Sequence, residues 1–180
     1  MGEDRYRRLA QKIEELRRQD EAFLARRNEI TRQRDQAVRE LHQICRRFTE
    51  HLNSYIKQDH LDLLPPELPE ELDEDCRLQI MLNVRGRVLL IALEAPASLV
   101  STDSFRKPYI LQGEVRFFNQ ELLDDSRVEE HGLYFCPGEG GRDGPKGGAR
   151  RGAWVFWNGR NYKSGPVDED YLAGLLEQIM

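Results

Sequence analysis

"RRLAQKIEELRRQDEAFLARRNEITRQRDQAVRELHQICRRF", Arg7 to Phe48, decides the architecture, because it lacks glycine and proline and spaces its apolar residues in alternating steps of three and four. The spacing runs through Tyr6, Leu9, Ile13, Leu16, Asp20, Phe23, Arg27, Ile30, Arg34, Ala37, Leu41, Ile44, Phe48, His51 and Tyr55. This is a heptad seam. No glycine or proline occurs between Asp4 and Leu64, so one continuous helix, or a hairpin with an unusually quiet turn, is expected over 1–60; as a single helix it is about 90 Å long at 1.5 Å per residue. Such a rod exceeds what a compact domain of about 100 residues covers, so the seam predicts pairing with another helix rather than packing on its own chain alone. Leu9, Ile13, Leu16, Phe23, Ile30, Leu41, Ile44 and Phe48 are its expected interface. Asp20, Arg27 and Arg34 make the middle weak and are expected to set register or to mark where pairing stops.

Downstream lies "LDLLPPELPEELDED", Leu61 to Asp75, with seven carboxylates and no basic residue. Pro65, Pro66 and Pro69 end the helix and favour extended backbone, so 61–75 reads as a solvated linker. Its leucines Leu63, Leu64 and Leu68 offer an alternative use as a docking motif.

The period then changes from 3.5 to 2. In "CRLQIMLNV" Leu78, Ile80, Leu82 and Val84 alternate with polar residues, as in a half-buried strand. Arg85-Gly86 reads as a tight turn into "RVLLIALEA", which is apolar on both faces and therefore central in its sheet. Further strands are expected in "YILQGEVRFFN", "HGLYFC" and "AWVFW", with Asn158-Gly159 turning the last into "RNYK". A closing helix follows, with Asp168 as N-cap, Glu169 and Asp170 on its positive end, Val167 stapled onto Leu172, and an apolar stripe of Leu172, Leu175, Leu176 and Ile179. The expected fold class is α+β: a long coiled-coil arm (1–60), a linker (61–75), and a mainly antiparallel sheet domain with a C-terminal helix (76–180).

The stretch from Trp154 to Leu176, "WVFWNGRNYKSGPVDEDYLAGLL", resembles the opening of bacterial GYF-like modules, where an aromatic hairpin runs through Gly-Pro into an amphipathic helix. Convergent hairpin-to-helix chemistry explains the same residues, and the chain ends where further strands of such a module should come. Proline-peptide binding is therefore not carried over.

Charge is unevenly placed. Residues 1–60 hold 14 basic and 11 acidic side chains, 61–130 hold 7 and 15, and 131–180 hold 6 and 6, for a net −5. An acidic total gives no support for bulk nucleic-acid affinity. A local contact could use the glycine-rich "CPGEGGRDGPKGGARRGAW", where Arg142, Lys146, Arg150 and Arg151 lie beside Trp154, Phe156 and Trp157. That stretch lacks the GxxxxGK[ST] order of a phosphate-binding loop and the helix that would follow one. A plain hairpin loop is the favoured reading.

Cys45, Cys76 and Cys136 are odd in number and form no CxxC pair, so neither a disulfide framework nor a zinc knuckle is expected. His42 and Cys45 are one turn apart, but two ligands do not close a zinc site. Glu129, Glu130 and His131 could serve acid-base work, yet strand alternation sends Glu130 and His131 to opposite faces, and solvated residues at a strand start are the simpler reading. No nucleophile elbow, Ser-His-Asp order or paired carboxylate set occurs. No catalytic residue, cofactor or metal is assigned, and no membrane segment is expected. The expectation is a cytoplasmic, non-catalytic scaffold or adaptor that self-associates or pairs through its coil and docks a protein partner through its α+β domain. A client-binding chaperone, a nucleic-acid accessory and an enzyme without a recognisable motif are the alternatives.

Overall fold

The computed structural model describes residues 2–119, 127–138 and 151–180. Helix α1 (Gly2–Asn53) is followed by strands β1 (Asp62–Leu64), β2 (Leu78–Val84), β3 (Arg87–Glu94), β4 (Leu111–Asn119), β5 (Arg127–Cys136), β6 (Ala153–Asn158) and β7 (Lys163–Pro166), and by helix α2 (Glu169–Glu177). The strands pair in chain order, each antiparallel to the next, as a seven-stranded meander. The α+β class holds, as do the long first helix and the C-terminal helix. The first helix ends at Asn53 rather than at residue 60.

Register follows the alternation. Leu78, Ile80, Leu82 and Val84 of β2 share a face with Leu89, Ile91 and Leu93 of β3, Leu111, Val115 and Phe117 of β4, Leu133 and Phe135 of β5, and Trp154 and Phe156 of β6. Both helices contribute to the core on this face. Strand β3 is buried on both faces, with Val88 and Leu90 also shielded. Its turn from β2 has Arg85 at φ 51° and Gly86 at φ 79°, the two left-handed positions of a type I′ hairpin, and Asn83 Oδ1 accepts from Gly86 N at 3.0 Å.

Two segments differ from their expected roles. Residues 61–75 are docked: β1 adds an edge strand to β2, Leu61 is buried, and Leu63, Leu68 and Leu72 pack on the core. The prolines lack N–H groups, but two of the three are held from the helix through their carbonyls, since His42 Nε2 lies 2.8 Å from Pro65 O and Arg39 donates to the carbonyls of Pro69 and Glu70. Asn53 closes the bend by exchanging two hydrogen bonds with the backbone of Leu61. The second difference is the β6–β7 connection. Asn158 stays paired with Lys163 and its side chain accepts from Arg160 N, so the connection is a longer loop over 159–162 rather than a two-residue Asn-Gly turn.

The core is also divided differently from 1–60 and 76–180. From Ile30 onward α1 belongs to the body: Ile30, Ala37, Val38, Leu41, Ile44, Cys45 and Phe48 are buried in the same cluster as the sheet residues. Trp154 Nε1 in β6 donates to Ala37 O at 2.8 Å, which ties sheet to helix directly. The connection from β3 to β4 adds a small cluster on the opposite face, where Phe105 stacks on Tyr134 at 4.7 Å and Tyr109 packs at 4.9 Å.

Candidate functional site

Residues 3–29 of α1 are exposed without interruption. This length of about 40 Å still carries the seam's apolar side chains. Tyr6, Leu9, Ile13, Leu16, Phe23 and Leu24 are 53–74% exposed, an unusual concentration of large apolar groups on one helix. Its polar faces are laced by local ion pairs, including Arg17 with Glu14 and Glu21.

The expected interface therefore splits. Leu9, Ile13, Leu16 and Phe23 face solvent, whereas Ile30, Leu41, Ile44 and Phe48 are core residues of this chain and cannot pair with another helix without unfolding it. The polar positions split likewise. Arg27 makes an exposed ion pair with Glu74 at 3.1 Å. Arg34 is buried, and its guanidinium donates to the carbonyls of Ile110 at 2.7 Å, Leu99 at 3.1 Å and Ser98 at 3.2 Å. Burial lowers its pKa, partly opposed by Asp75 and Cys76. A groove of about 1040 Å³ opens where the helix enters the body, between Phe23–Arg34, Glu74–Arg77 and Glu94–Leu99.

A second groove, of about 510 Å³, lies between the β6–β7 hairpin and α2. Its floor is an aromatic stack in which Phe156 lies 4.3 Å from Tyr171 and near-parallel to it, beside the His131 ring. His131 is buried, not solvated at a strand start. Asn158 explains its state: with Oδ1 held by the N–H groups of Arg160 and Asn161, the amide turns its NH₂ to His131 Nε2 at 2.6 Å. Nε2 then accepts, and Nδ1–H donates to the Tyr171 hydroxyl at 3.0 Å. The imidazole thus brackets β5, β6 and α2, with both nitrogens engaged. Its period on β5, sharing parity with Leu133 and Phe135, was the signal for burial.

Among the described residues no group of three His, Cys, Asp or Glu side chains could hold a metal ion. Burial pushes the Cys45 thiol up to about 12, so it is an inert core group rather than a thiolate ligand or nucleophile. Cys136 is half-buried and also raised, chiefly by desolvation, with Lys107 opposing. Of the four basic residues in the glycine-rich stretch, Arg151 is exposed, and Arg142, Lys146 and Arg150 lie outside the described residues. No described helix is long and apolar enough to cross a membrane. Compared with known protein families, curated proteins and solved structures, the chain matches none.

Proposed function

We propose that this chain is a non-catalytic assembly protein in which the sheet body anchors one half of a helix and presents the other half for helix pairing. The observation that carries the reading is the continuity of the seam. One heptad phase runs from Tyr6 to Phe48; the sheet covers it from Ile30 onward, and the same apolar pattern continues uncovered before it. A two-residue-per-heptad stripe is what a second helix covers, whereas a globular body takes a wider one. At the flanking position the exposed half has Ala10, Arg17 and Leu24 where the buried half has Val38, Cys45 and Leu52, so the exposed stripe is narrow around Leu9 to Leu16 and widens at Leu24 as it nears the body.

The test separates assembly from stability. Light scattering at micromolar concentration should give a mass above the 21.1 kDa of one chain. Replacing Leu9, Ile13 and Leu16 together by serine should return the protein to a single chain. Because those three side chains project from the body, its denaturant midpoint, compared at a dilution where the wild type is also a single chain, should change by less than about 0.5 kcal/mol equivalent. A wild-type mass of one chain at all concentrations, or a serine variant that still assembles, refutes the pairing role.

A further inference from the structure

Resting on that pairing reading, we propose that the exposed half of α1 pairs with a second copy of itself in antiparallel orientation, Tyr6 of one chain meeting Phe23 of the other, Leu9 meeting Asp20, and Ile13 meeting Leu16. Three observations point to this arrangement.

The first is the position of the body. From Ile30 onward the seam faces the chain's own sheet, with Ile30, Ala37, Leu41, Ile44 and Phe48 buried there. A parallel second helix following the same seam would run into that sheet, and the two bodies would occupy one volume. In the antiparallel pair the exposed seams from Tyr6 to Phe23 instead lie along each other, and each body, which covers its own seam from Ile30 onward, sits beyond Tyr6 of the other chain, so both seams are used without overlap of the bodies.

The second is the end point. Arg27 is already engaged within its own body, by the 3.1 Å ion pair with Glu74. The free seam stops one layer earlier, at Phe23, and Phe23 lines the groove where the helix enters the body. Tyr6 of the other chain arrives at that place, setting a ring against a ring.

The third is charge. In parallel register Asp20 would face its own copy inside the seam, and Lys12 would face Arg17 across the flank, both like-charged pairs. Reversal places Asp20 in a layer with Leu9 and one turn from Lys12 of the other chain, which exchanges repulsion for attraction. The like-charged contact that remains, Arg5 with Arg26, lies at the outer flank, in water.

Disulfide trapping tests the orientation. In a Cys136→Ser background, with Cys45 and Cys76 buried, Tyr6→Cys and Phe23→Cys proteins are oxidised separately and as an equal mixture, after scattering has confirmed that each variant still assembles. The mixture should yield a disulfide-linked dimer of twice the 21.1 kDa chain, and neither variant alone should. A flanking pair, Glu3→Cys with Leu24→Cys, repeats the test while leaving the seam side chains in place. Self-cross-linking of Tyr6→Cys alone would overturn the antiparallel arrangement and leave helix pairing standing. A parent protein that scatters as a single chain would overturn self-pairing itself.

Discussion

Arg34→Ala should cost this protein about 3 kcal/mol of stability, and Arg27→Ala, one heptad earlier in the same seam position, almost nothing. The Arg34 guanidinium holds three backbone carbonyls, those of Ser98, Leu99 and Ile110. Ile110 is fully buried, so no water replaces the lost donor, and an orphaned buried acceptor costs roughly 1–3 kcal/mol. Ser98 is exposed and its carbonyl can hydrate. Losing the packed aliphatic stem adds about 1–2 kcal/mol, offset in part by no longer burying a charge. By contrast, the Arg27–Glu74 pair is 49% and 82% exposed at its side chains, in the range where such pairs contribute under about 1 kcal/mol. With a urea slope of about 2 kcal/mol per molar, the Arg34 variant should unfold about 1.5 M earlier than wild type. Arg34→Lys, which keeps the charge but loses the planar fork, should fall between. A shift below about 0.5 M for Arg34→Ala, or equal shifts for both arginines, would refute the view that Arg34 fastens α1 to the β3–β4 connection.

Two further outcomes follow from the core and the second helix. Asp168→Ala removes the acceptor for Tyr171 N, a 2.9 Å cap bond, and should lower unfolding stability by about 1 kcal/mol, with Asp168→Asn retaining most of it. For Cys45 the folded pKa is pushed from 9.0 to about 12 by desolvation, so the unfolded chain releases the proton first. Stability from this group is intact below about pH 9 and is then lost at about 1.4 kcal/mol per pH unit as pH rises toward 12; urea midpoints from about pH 8 to 10.5 should decline more steeply for wild type than for Cys45→Ala.

Much of the fold was legible because its signals are local. The β2–β3 hairpin followed from alternation around Arg85-Gly86, and the cap and stripe of α2 followed from Asp168, Leu172, Leu175 and Leu176. What could not be read from the three-and-four spacing is the nature of the covering surface, since a sheet and a helix both accept residues at those steps. The width of the stripe held that information. Val38, Cys45 and Leu52 broaden the apolar face in successive heptads, as a sheet needs, whereas earlier in the helix the same position is broken by Arg17 and carries a large apolar residue only at Leu24. The acidic segment was misleading for another reason. Its carboxylates do face water, but leucines at 61, 63, 68 and 72 turn inward, and Pro65 and Pro69 are held through their carbonyls, which a count of donors and charges overlooks. The groove beside α2 depended on Asn158, His131 and Tyr171, residues far apart in sequence and joined only by tertiary contacts.

The division of α1 at Ile30 sets how assembly and folding depend on each other. Nucleating an isolated helix is costly, and amphipathic helices draw most of their stability from packing. In α1 the packed half, fixed by Trp154, Arg34 and the core leucines, supplies a template onto which the exposed half propagates one hydrogen bond per residue. The exposed half therefore needs no partner to be helical near the body, and a partner meets a surface already ordered there, which reduces the entropy lost on association. The coupling is reciprocal, so pairing adds to the stability of the folded body as much as the body favours pairing. Changes at Leu9, Ile13 or Leu16 remove that added stability and leave the single chain's body unaffected, whereas changes at Ala37, Leu41 or Ile44 remove the template and so weaken both folding and pairing.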